Sequence, residues 1–201
     1  MKSVSFIAFL IILNSCAVSH NPMRNEIRNL QKEGNVKDDT SYVYELPFKN
    51  GKAYWMVQGY FSHFSHRERI ALDFKMKRGT KIYAARDGVV IRVKEDSNKG
   101  GWSRKYRPFG NNIVIQHADS SRAGYWHLQK DGALVNVGDS VKQGQLIALS
   151  GRTGYAFFPH LHFVVWNFDK QGNWQQMPTR FDTRKGIKYL RPIRKYRKPE
   201  N

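Results

Sequence analysis

Residues 157–167 read Phe-Phe-Pro-His-Leu-His-Phe-Val-Val-Trp-Asn. Aromatic and β-branched residues dominate the run after Pro159, which marks residues 160–167 as a strand. Successive strand side chains point to opposite faces, so His160 and His162 project from one side and both reach a single metal site. Similar short apolar or alternating runs recur at residues 42–46, 53–57, 71–75, 81–84, 89–93, 113–117, 123–127 and 145–150. Glycine, asparagine or aspartate punctuates the gaps, and no long stretch carries helical periodicity. The chain therefore reads as an all-β domain. Gly79-Thr80-Lys81-Ile82 leading to Asp87-Gly88-Val89-Val90 is echoed by Gly138-Asp139-Ser140-Val141 leading to Gly144-Gln145-Leu146-Ile147. Each is a glycine turn, a short strand, a second turn and another strand, the pattern of a compact sandwich of hairpins.

A lone His-x-His pair is weak, and other candidate ligands lie upstream. Phe64-Ser65-His66 precedes Ile70-Ala71-Leu72-Asp73-Phe74, which places an imidazole and a carboxylate on either side of a short connection. Mixed nitrogen and oxygen donors suit zinc, and a catalytic site needs three from the protein. His66, Asp73 and His162 make three. Gly124-Tyr125-Trp126-His127-Leu128 adds Tyr125 and His127, which strand alternation puts on one face as a fourth candidate group near the metal. Taken singly, Asp73 is equally a turn residue, His66 a loop histidine and His127 a core histidine.

The ordered series of motifs resembles the LytM or lysostaphin-type zinc metallopeptidases over roughly residues 55–166. It runs from Phe64-Ser65-His66 and Asp73-Phe74 through residues 79–90, 110–117, 125–128, 141–145 and 150–154 to Pro159-His160-Leu161-His162-Phe163. The resemblance implies an antiparallel β-sandwich or barrel-sandwich hybrid, a Zn2+ cofactor held by His66, Asp73 and His162, and catalytic His127 and His160. It further implies endopeptidase cleavage of peptidoglycan cross-links. Two positions depart from the family pattern. The common His-x-Gly-x-Asp form would place the first ligand at position 69, where this chain has Arg69, a side chain that stays charged and cannot bind zinc. A variant with a longer connection points to His66, and His63 is its competitor. Phe158 stands where glycine is usual and either narrows the cleft or covers it.

Two other classes fit parts of the pattern. One is a catalytically inactive family member that binds and activates a cell-wall amidase, and the other a polymer-binding β module without chemistry. All the residue types needed for catalysis are present, which favours the enzyme.

The two ends of the sequence bear on location. Residues 1–15 carry Lys2 and the apolar stretch 4–13, too short to span a bilayer, and read as an export signal. Leu13-Asn14-Ser15-Cys16 resembles a lipobox, with lipidation expected on Cys16, the only cysteine of 201 residues. Residues 16–40 read as a lipidated tether with one short helix over residues 25–32, residues 41–180 as the metallopeptidase domain and residues 181–201 as a basic C-terminal tail. The formal net charge is +18, and residues 184–198 hold eight basic residues and no acidic one. On an exported chain such a balance points away from nucleic acid and towards anionic envelope polymers and membrane headgroups. The expected location is a bacterial envelope, with the lipoprotein membrane-anchored and facing the periplasm. No protein partner is legible.

Overall fold

The computed structural model describes residues 19–33 and 41–200. The expected export signal and Cys16 lie outside them. In chain order the elements are helix α1 (Met23–Glu33) and strands β1 (Val43–Glu45), β2 (Ala53–Gln58), β3 (Ala71–Lys75), β4 (Lys81–Tyr83), β5 (Gly88–Lys94) and β6 (Gly100–Gly101). A 3-10 helix, η1 (Arg104–Phe109), leads to β7 (Asn111–Gln116), β8 (Arg122–Ala133), β9 (Ser140–Val141), β10 (Leu146–Ser150), β11 (Gly154–Tyr155) and β12 (His160–Phe168). The last elements are β13 (Trp174–Met177), β14 (Arg180–Asp182), β15 (Lys188–Tyr189) and β16 (Arg194–Arg197).

Eleven strands form one sheet in the order β16-β2-β3-β12-β8-β7-β5-β9, with β10 joining β8 to β4 and β13 lying beside β12. Its pairings are antiparallel, so the architecture is all-β and antiparallel. Parallel pairing is confined to two short contacts, β1 with β14 and β6 with β11.

Alternation assigns the two faces of the central strands. Leu161, Phe163 and Val165 of β12, Leu72 and Phe74 of β3 and Tyr125 of β8 enter the main core with Phe48 and Phe181. The opposite face carries Ala71, Val114, Val164 and Trp166 as a second, small apolar cluster. That second face floors a cleft. Along it Gly124 is required, because a Cβ there would approach Trp126 Nε1 to 2.6 Å and Trp166 to 2.9 Å.

Two segments carry more structure than their composition suggests. Helix α1 exceeds the short helix expected within the tether, and its buried Ile27 packs into the main core. Gln31 donates to the Leu190 carbonyl, while Ser19 Oγ and the His20 amide donate to the Glu68 carboxylate. Residues 181–200, read from composition as a basic tail, pack through Phe181, Leu190 and Tyr196 and lend β16 to the sheet edge beside β2. Most of their charges point outward while Phe181, Tyr189, Leu190 and Tyr196 are buried, which overall composition conceals. Among the described residues no helix is long and apolar enough to cross a membrane.

Candidate metal centre and cleft

In β12 the even-numbered residues His160, His162, Val164 and Trp166 face the cleft, opposite the core-facing odd ones. His162 pairs with Asp73 of β3 on one side and Trp126 of β8 on the other. His66 arrives from the loop between β2 and β3. A turn with Arg69 N donating to the His66 carbonyl, and Phe61 N donating to the Arg69 carbonyl, returns that loop towards β3. His66 and Asp73 are each 1% exposed.

Two irregularities bring further residues to this face. Strict alternation would send Gln58 to the same side as the buried Met56. A register shift between them turns Gln58 onto Asp73 instead. In β8, alternation would put His127 on the side of Tyr125. His127 has φ 66°, a left-handed backbone that is costly for a residue with a Cβ, and its ring turns into the cleft beside Trp126.

The ligand atoms of His66, Asp73 and His162 lie within 4.8 Å of one another. Asp73 Oδ1 is 2.8 Å from His162 Nδ1 and 3.2 Å from His66 Nε2, and the two imidazole nitrogens are 3.2 Å apart. Outer contacts orient these groups. His66 Nδ1 donates to the Gly59 carbonyl at 3.3 Å, leaving Nε2 towards the cluster. Gln58 Nε2 donates to Asp73 Oδ2 at 2.8 Å, and its carbonyl accepts from the Ser65 amide at 2.9 Å, tying carboxylate and loop together.

His127 and His160 stand beside the cluster with ring centroids 4.6 Å apart. His127 Nδ1 donates to the Thr153 carbonyl at 2.7 Å and His160 Nδ1 to the Phe158 carbonyl at 2.8 Å. Each therefore keeps its Nε2 for the cleft, and His160 Nε2 lies 3.7 Å from Asp73 Oδ1. Burial alone would push the Asp73 carboxyl up, but the facing His66 and His160 and the hydrogen bonds from His162 and His66 outweigh it, holding Asp73 well below the carboxylate range. Burial would likewise lower His66, and Asp73 reverses this to a raised value. For His162 burial wins over Asp73 and the pKa falls. Burial, then the neighbouring His160 and His162, hold His127 well below the ordinary imidazole value, so it is neutral at neutral pH.

The cleft has a volume of about 760 Å³, and among the described residues Asp73 is the only acidic one in its lining, against Arg69, Arg92 and Arg107. Its rim includes Trp102, whose ring lies 5.2 Å from that of Phe157. The basic and aromatic insertion at residues 95–109 holds Trp102 and Arg107 there, because β6 pairs with β11 and packs against η1. Gly100 makes that pairing possible, since a Cβ would come within 1.9 Å of the Arg152 carbonyl oxygen.

The structure thus brings together five of the residues singled out in the sequence: His66, Asp73, His127, His160 and His162. His63 is exposed and lies outside the cleft lining. Tyr125 does not join the site; it is fully buried against Phe163, and its hydroxyl accepts from the Ala85 amide at 2.8 Å. The expectation that Tyr125 and His127 share a face fails because the backbone at His127 breaks alternation. Phe158 lines the cleft with its ring 5.1 Å from that of His160 and supplies that histidine's acceptor. Gln58 was not legible, since nothing local in Tyr54-Trp55-Met56-Val57-Gln58 encodes the register shift.

Comparison with known proteins places these residues in a family. Residues 67–176 match the model of peptidase family M23, beginning one residue after His66. A peptidoglycan DD-endopeptidase, ShyA of Vibrio cholerae, is 41% identical over 93 residues, covering 46% of this chain and 19% of the relative. Lysostaphin of Staphylococcus staphylolyticus is 41% identical over 110 residues, covering 53% of this chain and 21% of the relative. The match thus spans about a fifth of the length of these curated relatives. The solved structure of the antimicrobial peptidase lysostaphin from Staphylococcus simulans is 30% identical, with a TM-score of 0.49, over 68% of this chain and 52% of that one. With the family match spanning more than half of its residues, Asp73, His127, His160 and His162 among them, the chain belongs to peptidase family M23.

Proposed function

We propose that the chain is a zinc-dependent endopeptidase that hydrolyses peptide cross-links of bacterial peptidoglycan. The observation that carries this reading is the convergence of one carboxylate oxygen and two imidazole nitrogens, all within 4.8 Å, beside two further histidines at the base of an open cleft. The donor set fits zinc: His66 and Asp73 are buried and His162 partly so, nitrogen and oxygen donors are mixed, and the outer hydrogen bonds are already arranged. His66, Asp73 and His162 would hold the ion. Zinc supplies a Lewis acid for the scissile carbonyl and brings the pKa of water down to about 7.

The protein's own groups do the rest. His127, neutral and fixed by Thr153, presents Nε2 as an acceptor for the water's proton and returns it to the leaving amine. His160, fixed by Phe158 through Nδ1, turns Nε2 into the same cleft, where that nitrogen would stabilise the oxyanion when it too carries a proton. The arginines of the cleft suit stem peptides, which carry free carboxylates, and the names of the relatives support the same substrate class.

The test is zinc content and peptidoglycan digestion, measured side by side for the parent chain, His66→Ala and His63→Ala. The parent is expected to hold about one zinc and to release peptides. His66→Ala is expected to lose metal and activity together, whereas His63→Ala keeps both. A metal-free His63→Ala beside an active His66→Ala would overturn the ligand assignment. A metal-replete parent that leaves peptidoglycan intact would overturn the activity.

A further inference from the structure

We infer that the face formed by β16, the turn before it and the end of α1 docks on an anionic lipid bilayer. A broad basin opens there, at the sheet edge three strands from β12. Among the described residues, eight of its fifteen lining residues are lysine or arginine and none is acidic. Arg184, Lys185, Arg194 and Lys195 are exposed, and no carboxylate among the described residues forms an ion pair with them. So dense a set of like charges costs self-repulsion unless an anionic partner covers it.

Charge alone would suit any polyanion. The apolar features select the bilayer. Ile193 is 77% exposed and sits at φ 58°, between Arg191 and Arg194. A β-branched residue is a backbone outlier there, and glycine or asparagine would hold the turn more easily. Its amide is tied to the Met56 carbonyl at 2.8 Å, so the turn is held against the sheet with its aliphatic tip outward. Trp55, 49% exposed, stands directly across from Lys195 in the ladder. An indole and an aliphatic tip ringed by cations match a headgroup layer, where apolar groups enter the interface and cations meet lipid phosphates. A soluble polyanion would use the cations and gain nothing from Ile193.

The test uses the full chain with Cys16→Ser and an environment-sensitive nitrobenzoxadiazole label on Ile193→Cys. Vesicles with one-quarter phosphatidylglycerol in phosphatidylcholine are expected to blue-shift and brighten the label, and pure phosphatidylcholine vesicles are not. The same label on Ser140→Cys, in β9 at the other end of the strand order, should stay unchanged. Adding Arg194→Gln and Lys195→Gln should raise the lipid concentration for half-response by about 30-fold, with the thermal midpoint unaltered. Equal responses on neutral vesicles, equal responses at Ser140, or an unchanged lipid requirement would overturn the proposal. So would a larger response to isolated peptidoglycan than to vesicles, which would assign the basin to the wall polymer.

Discussion

At the scale of single residues, the proposed reaction divides the site into groups that hold and groups that react, and the two should respond differently to substitution. His127 and His160 each spend Nδ1 on a carbonyl and keep Nε2 for the cleft. His127→Ala or His160→Ala is expected to lower turnover by about two to four orders of magnitude while zinc content stays near the parent level. A metal-free variant would show that the histidine holds rather than reacts. Gln58 works at one remove, through Asp73 and Ser65. Gln58→Leu keeps the bulk and removes both contacts, so zinc affinity is expected to fall about 10-fold to 100-fold in a chelator competition. An unchanged affinity would reduce Gln58 to packing. The histidines and Asp73 were legible because their chemistry is rare among apolar strands. Gln58 was not, because its role depends on a register shift with no local signature.

At the scale of elements, nine strands follow from short apolar or alternating runs; eight have bounds within about two residues of those runs, while β8 runs six residues past its expected end. What escaped were the two-residue β6 and β11 and the four strands β13 to β16, the last of which, Arg194-Lys195-Tyr196-Arg197, offers one apolar residue in four. Pairing with β2 and burial of Tyr196, whose hydroxyl accepts from the Arg191 amide at 2.7 Å, give that stretch a fixed face. Likewise the φ of His127 cannot be read from Tyr-Trp-His. His117 supplies a test of an element, since it directly follows β7 and its Nδ1 donates to the Asp87 carbonyl at 2.7 Å. Burial holds its pKa below the ordinary imidazole value. Protonation therefore opposes folding: the stability contributed by the neutral ring is present above about pH 6.5 and is lost as pH falls below it. The urea midpoint should drop between about pH 7.5 and about pH 5.5, and drop less in His117→Gln. Equal drops would clear His117 of the effect.

At the scale of the whole molecule, the lipobox reading of residues 13–16 remains our proposal for how the chain is held. After a high-salt wash, which strips a docking held by charge, Cys16→Ser is expected to leave the membrane fraction or to stay unprocessed, and unchanged retention with normal processing would refute it. The contact of Ser19 and His20 with Glu68 then acquires a meaning beyond packing. Three residues of chain extend no farther than about 11 Å, so a lipid on Cys16 would be moored close to the loop that bears His66. Such a mooring limits reach. The mouth of the cleft would stay within a molecule's width of the bilayer, and the cross-links available to it would be those that the wall itself brings down to the membrane.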